Sequence, residues 1–396
     1  MKALFLTREY PPHVYGGAGV AVDHLTRALS RRMAVEVRCF GPPAPTPPIV
    51  ARGYEPWDRL RGGPGEPRYS GALEALSVGL AMARDPVDAD VAHAHTWYVA
   101  LGGLLVRTLH RIPLVVTLHS MEPLRPWKAD QLDTGYRLSA WAERCAVEAA
   151  DRVIAVSEAM RRDVSRFFAV DPARVVVVHN GIDVERCRRT ALRDALDQYG
   201  VRSPYILFVG RISEQKGLFP LLKAFLGLPE SLQLVLCASA PDTPDLEEQL
   251  DRAVADHPRI RWIPAMVPVP ELIQLYSHAA VFACPSVYEP FGIINLEAMA
   301  CEAAVVASRV GGIPEVVEDG VTGLLVPPGE PAALARALRA LLEDPARARA
   351  LGLAGRHRVE EHFGWDAIAA LTHRVYDDVV AAFREGGPDR EAPEQR

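Results

Sequence analysis

Lysine is almost missing from this chain: it stands only at Lys2, Lys128, Lys216 and Lys223, and arginine supplies the rest of the 44 basic side chains. No run of basic residues forms a stripe, and the formal net charge is −6. General nucleic-acid binding, which needs clustered cations along a phosphate backbone, is thereby excluded, and any phosphate site must be local. Cysteine is scarce and scattered (Cys39, Cys145, Cys187, Cys237, Cys284, Cys301), with no C-x-x-C pair and no His/Cys metal spacing. The thiols read as small buried apolar residues in a reducing compartment. Long hydrophobic runs are lacking as well, since no segment approaches the roughly 20 apolar residues of a membrane span. The first apolar run, Ala3-Leu4-Phe5-Leu6-Thr7, meets Arg8 and Glu9 and is too short for a secretory leader. A cytoplasmic protein with no membrane and no nucleic-acid partner is expected. No internal repeat of about 20–50 residues is present, which excludes a solenoid. What remains is ordinary for a soluble globular protein, 49% hydrophobic and 24% charged. Its 396 residues exceed one core, because single cores stop growing near roughly 250–300 residues.

Short apolar runs alternate with helical patterns over most of the length, the signature of parallel α/β sheets. The first half offers strands at 3–7, 34–40, 90–94, 113–118, 152–156 and 175–179; the second at 205–209, 232–237, 259–263, 280–284, 304–307 and 323–326. Each series predicts its own doubly wound sheet. The division expected is a first domain over 1–185, with 368–385 packing back on it, and a second over 186–367. Residues 183–203 read as a polar, helical linker. Residues 41–71, rich in Pro and Gly, predict an irregular surface loop. Trp365, Ile368, Leu371, Val375, Val379 and Phe383 recur at helical spacing and predict a long last helix. Residues 386–396 read as a disordered tail.

Candidate chemistry gathers where strands end. Glu289 and Glu297 flank the turn after strand 280–284, with Pro290, Phe291, Gly292 and Ile293 leading into a helix. In an open α/β sheet the crevice beyond the strand's carboxyl end binds ligands. Paired acceptors around exposed N–H groups at a helix start suit a ligand that is both hydroxyl-rich and anionic, such as a nucleotide sugar. After strand 205–209, Arg211 and Lys216 offer two cations able to neutralise a diphosphate leaving group without a metal; the plainer reading is a pair of solvated charges. Glu214, between them, must point away. After the first strand, Gly16 and Gly17 open a helix and allow a phosphate to approach the backbone, unless they serve only as a tight turn. The G-x-G-x-x-G pattern fails at Val22, and Cys39 and Phe40 close the second strand where an acidic residue would be needed, which disfavours NAD or FAD. His119 ends strand 113–118, either as a site residue or as a core or capping histidine. The polar and aromatic stretch carrying Glu122, Arg125 and Lys128 suits a sugar acceptor, and His93, His95 and Trp97 line the same expected cleft. His93 and His95 lack a third metal ligand, so neither a metal nor another cofactor is expected.

In order and spacing, Gly16-Gly17, His119, Arg211 with Lys216, and Glu289 with Glu297 resemble retaining glycosyltransferases of family 4. Further stretches are similar to the actinobacterial branch of glycogen synthases and α-maltose-1-phosphate synthases: Thr7-Arg8-Glu9-Tyr10-Pro11-Pro12, His95-Thr96-Trp97-Tyr98, the run from His119 to Leu132, and Ala240-Pro241-Asp242-Thr243-Pro244. The chain departs from that branch at Asp133-Thr134-Gly135, at Glu214 and in the Pro-rich 41–71. The resemblance implies a GT-B fold, two Rossmann-like domains facing a cleft, with the C-terminal helix crossing back. It implies catalytic roles for His119, Arg211, Lys216 and Glu289. Glu289 would hold the donor glucose, helped by N–H groups around Phe291, Gly292 and Ile293. Glu297 would hold the ribose, and Arg211 and Lys216, with Gly16 and Gly17, the diphosphate. The base would lie near Ile263 to Val267, against Met266 and Val267. His119 would orient a donor hydroxyl near the anomeric carbon.

The implied activity is retaining transfer of α-D-glucose from ADP-glucose to glucose 1-phosphate or to the non-reducing end of an α-1,4-glucan, by a possible homodimer. Three alternatives stand beside it. One is a family 4 enzyme using a UDP- or GDP-sugar on a lipid or small metabolite. A second is a non-catalytic sugar-nucleotide sensor or scaffold. The third is a pyridoxal-phosphate phosphorylase, for which Lys223 is the remaining second-domain lysine and looks like an exposed helix position.

Overall fold

The computed structural model describes residues 1–63, 67–239 and 241–386, in two compact units: Met1–Asn180 with the chain from Trp365 onward, and Gly181–Gly364. The expected tail lies outside the described residues, apart from Gly386, which ends the last helix.

The first unit is a seven-stranded sheet of β1 (Lys2–Leu6), β2 (Ala34–Phe40), β3 (Val50–Tyr54), β4 (Val91–His95), β5 (Leu114–Leu118), β6 (Arg152–Ala155) and β7 (Val175–Val177), in the order β3-β2-β1-β4-β5-β6-β7. Every pairing is parallel. β4 and β5 are buried at every residue, as strands covered by helices on both faces must be. The chain order reverses between β1 and β4, and this switch point opens a crevice at the carboxyl ends of the two strands. Helix Gly17–Leu29 leaves β1 and buries Ala21, Val22, Leu25, Ala28 and Leu29 at helical spacing. Helix Trp365–Gly386 packs on it, with Trp365 stacked on His24 at 5.7 Å.

The second unit is a six-stranded sheet of β8 (Tyr205–Arg211), β9 (Gln233–Ser239), β10 (Ile260–Ile263), β11 (Val281–Cys284), β12 (Val305–Ser308) and β13 (Leu324–Val326), ordered β10-β9-β8-β11-β12-β13. It too is parallel throughout, with its switch point between β8 and β11. Ile206, Phe208, Leu234, Leu236, Val281, Ala283 and Val306 form its core with Leu221 and Phe225 of helix Leu218–Leu226.

Three expectations need correction. Residues 41–71 are not wholly irregular: Val50–Tyr54 adds the edge strand β3, paired Val37↔Ala51 and Cys39↔Gly53. One side of this strand is open, so its sequence lacks the apolar run that marks a buried strand. The expected linker 183–203 is only briefly helical, at Asp194–Tyr199, and is packed into the second unit, where the Ala195 N–H donates to Gln274 Oε1 at 2.9 Å. The units divide after Asn180 and after Gly364 rather than at 185 and 367. Residues 181–185 are held by the second unit: the Ile182 N–H donates to Phe363 O at 2.8 Å, and Arg356 Nη2 to Val184 O at 3.0 Å.

Candidate active site

In the second unit, β8 ends at Arg211, and the chain then makes a single turn over Glu214–Lys216. Gly217 closes that turn at φ +66°, where a Cβ would stand 2.0 Å from Pro285 O. Only glycine lets the loop after β8 lie against the loop after β11. The two loops are tied by the Val287 N–H donating to Gln215 O at 2.9 Å. A third loop braces them: the Gly312 N–H donates to Glu289 O at 3.1 Å, and a Cβ on Gly311, at φ +55°, would fall 1.9 Å from the same oxygen.

The turn delivers Lys216 to Glu289, with Nζ 2.7 Å from Oε2, and Ser286 Oγ donates to that oxygen at 3.1 Å. Both partners are largely enclosed, their side chains 17% and 9% exposed, so the pair is less screened than a surface ion pair. Arg211 is held separately, its Nη1 2.8 Å from Asp242 Oδ1. Glu214 is exposed. Gly292, at φ +98°, starts helix Ile293–Ala300 with no side-chain cap, so the helix start presents its first N–H groups uncapped. The Phe291 ring is buried near Phe363, 6.0 Å between centroids. Glu297 accepts from Tyr276 OH at 3.0 Å; enclosure pushes its carboxyl up to about 7, with the tyrosine pulling back. Val267 is buried and Met266 is 67% exposed.

In the first unit, three imidazoles line up at the switch point. His93 contacts Tyr376 OH through Nδ1 and Thr117 Oγ1 through Nε2, both at 2.6 Å. His93 and His95 have ring centroids 4.0 Å apart, and His95 Nδ1 lies 3.0 Å from His119 Nε2. Burial lowers all three, His93 to about 3 and His119 to about 4, so the rings are neutral near pH 7. They border a small pocket shared with Thr117, Asn180 and Trp365.

The Gly16-Gly17 loop is already engaged by an anion of the chain itself. Glu9 Oε2 accepts from the N–H groups of Tyr15 and Gly16, each at 2.8 Å. Of the expected acceptor residues, Trp97 and Glu122 are buried and His95 is 1% exposed. Trp97 stacks on Tyr98 at 4.1 Å. Glu122 accepts from Ser139 Oγ at 2.7 Å, and its N–H donates to Glu143 Oε2 at 2.8 Å. Arg125 donates to Ser120 Oγ at 3.2 Å, and Lys128 opens the short helix Lys128–Leu132.

Sequence reasoning passed over Ser286, Tyr276 and Tyr376, and took Glu9 and Asp242 only as part of a resemblance. Tyr276 and Tyr376 sit on buried helical faces, where a hydroxyl carries no sequence signal. Among the described residues no group of three His, Cys, Asp or Glu is placed to hold a metal ion. A cavity of about 510 Å³ in the second unit is walled by Leu232, Ala280, Ala304 and Leu341 at the amino ends of the strands. Volume is therefore a poor guide to the chemistry, since Arg211, Lys216 and Glu289 stand at the opposite ends.

Residues 15–186 match the family described as Glycosyltransferase Family 4, and residues 197–358 the family described as Glycosyl transferases group 1. The chain is 47% identical over 397 residues to the alpha-maltose-1-phosphate synthase of Mycolicibacterium smegmatis, covering 96% of this chain and 100% of that one. It is 29% identical over 405 residues to a glycogen synthase of Mycobacterium tuberculosis, covering 95% and 94%. Among solved structures, the sucrose-phosphate synthase of Thermosynechococcus elongatus superposes with a TM-score of 0.80 at 25% identity, covering 96% of this chain and 100% of that chain. With two parallel Rossmann-like sheets and these matches, the chain belongs to the family 4 glycosyltransferases, and is a hexosyltransferase of the GT-B fold.

Proposed function

We propose that the chain transfers α-D-glucose from ADP-glucose to glucose 1-phosphate, giving maltose 1-phosphate, or to the non-reducing end of an α-1,4-glucan, or to both. The observation that carries the reading is the Lys216–Glu289 contact of 2.7 Å at the carboxyl ends of β8 and β11. It sets a cation for a departing diphosphate directly beside a carboxylate for the hydroxyls of the transferred sugar. The first relative's name, alpha-maltose-1-phosphate synthase, supports the acceptor, and the glycogen synthase relative supports the glucan as a second one.

In this mechanism Lys216 and Arg211 take up charge as the bond from the anomeric carbon to the β-phosphate oxygen breaks, which is electrostatic stabilisation of the leaving group. The acceptor hydroxyl attacks on the same face, its proton passes to the departing phosphate oxygen, and the configuration is retained. Glu289 positions the glucose, Glu297 the ribose, and His119 a donor hydroxyl. The uncapped N–H groups at Gly292 and Ile293 face the diphosphate. Met266 and Val267 lie beside the base.

The test is a matrix of ADP-, UDP- and GDP-glucose against glucose 1-phosphate, an α-1,4-glucan and lipid acceptors, with product analysis. ADP release with maltose 1-phosphate or an extended glucan is the expected result. Transfer only from a UDP- or GDP-sugar, or ADP-glucose binding without any product, overturns the reading.

A further inference from the structure

Among the described residues His119 makes one ring hydrogen bond, to His95, with nitrogens 3.0 Å apart. Two neutral imidazoles so joined share a single proton, carried by one ring or the other. If His119 Nε2 carried it, His95 would have to place its own proton on Nε2. That atom is buried, with no hydrogen-bond partner among the described residues. A buried N–H without an acceptor is the costlier arrangement; a bare ring nitrogen is an under-satisfied acceptor and is better tolerated. The His95 ring is held in place for this role by His93, 4.0 Å away between centroids, and by Phe5, stacked at 5.3 Å. His93 is itself anchored at both nitrogens, by Tyr376 and Thr117.

We infer that His95 is a positioning residue: its Nδ1–H donates to His119 Nε2, which fixes His119 as the Nδ1–H tautomer and presents a neutral N–H, rather than a basic nitrogen, on the substrate side. This rests on the proposed role of His119 toward the donor sugar, and gives that role its polarity. His119 then acts on an acceptor atom of the sugar, a hydroxyl oxygen, and is not a general base. The low proton affinity of His119 agrees, since a ring that stays neutral keeps its tautomer throughout turnover.

Imidazole nitrogen-15 spectra of the full-length protein labelled at histidine test the tautomer directly, with His119 and His95 assigned by the loss of signals in His119→Gln and His95→Leu. Protonated Nδ1 and bare Nε2 on His119, with protonated Nδ1 on His95, are expected; protonated Nε2 on His119, or averaging between the two forms, overturns the inference. Kinetics give a second readout, using whichever donor and acceptor the transfer matrix identifies. His95→Asn keeps a donor near the Nδ1 position and should stay within a few-fold of wild type in kcat. His95→Leu, closer in bulk but without the donor, should lose about tenfold or more in kcat with little change in donor KM, the scale of one lost orienting hydrogen bond. If leucine is tolerated better than asparagine, His95 is a packing residue and the inference fails. Failure of the spectra leaves the transfer activity standing, and failure of the transfer matrix leaves the tautomer standing, so the two readings are separable.

Discussion

Lys216 and Glu289 are direct partners, 2.7 Å apart, which sharpens what their removal should do. Glu289→Gln keeps volume and hydrogen bonding but loses the charge that holds Lys216, and Lys216→Ala removes the cation from the phosphate side. Each should lower turnover by at least about 100-fold under saturating donor, as loss of a transition-state charge contact commonly does; steady-state kinetics on both variants check it, and unchanged turnover in both would remove the pair from the site. Glu297 carries a pH prediction. Its carboxyl rises to about 7 through enclosure, so the folded protein holds a proton there that the unfolded chain releases near 4.5. The associated stability is present at acid pH and is lost as pH rises toward 7 and beyond. Glu297→Gln does not titrate, and its urea midpoint relative to wild type should increase between pH 5 and pH 8. A gap that stays constant across that range contradicts the enclosure.

At the scale of elements, the site is three loops at the ends of β8, β11 and β12, drawn together by glycines that side chains cannot replace. Gly217→Ala meets both penalties, a left-handed φ of +66° and a carbonyl 2.0 Å from the new Cβ. It should cost more than about 1 kcal/mol of stability and displace Lys216 from Glu289. A lowered urea midpoint together with reduced turnover is expected, whereas full activity would show that the loops are not coupled through this contact. Twelve strands were legible from short apolar runs, as strands buried on both faces, such as β4 and β5, must be written. β3 escaped because an edge strand half open to solvent, set among prolines, has no such run. The burial of side chains in the acceptor stretch escaped for the opposite reason. Trp97 and Glu122 stand among polar neighbours and read as surface, yet one stacks on Tyr98 and the other is enclosed with Ser139 and Glu143.

For the molecule as a whole, each unit concentrates polar residues at the switch point of its sheet, and the first accepts an acid sensitivity in return. In the first unit His93, His95 and His119 are neutral and enclosed, with His93 lowered to about 3 and His119 to about 4. An unfolded histidine takes a proton near 6.5. The stability these groups contribute is complete above that pH and is lost as pH falls below it. His93→Gln cannot titrate, so the difference in urea midpoint between it and wild type should shrink from pH 7.5 to pH 5; a difference independent of pH would mean that the ring is not held neutral by burial. By itself the sequence determined the α/β class, the two sheets, the exclusion of a dinucleotide fingerprint, and the placing of Arg211, Lys216, Glu289 and His119 at strand ends, because apolar periodicity and strand termini are written in neighbouring residues. Tertiary structure alone decided the partnerships. Lys216 meets Glu289 across 73 positions, and His93 meets Tyr376 across 283. Such contacts follow from the order in which crossovers lay the strands side by side, and no local stretch of chain encodes that order.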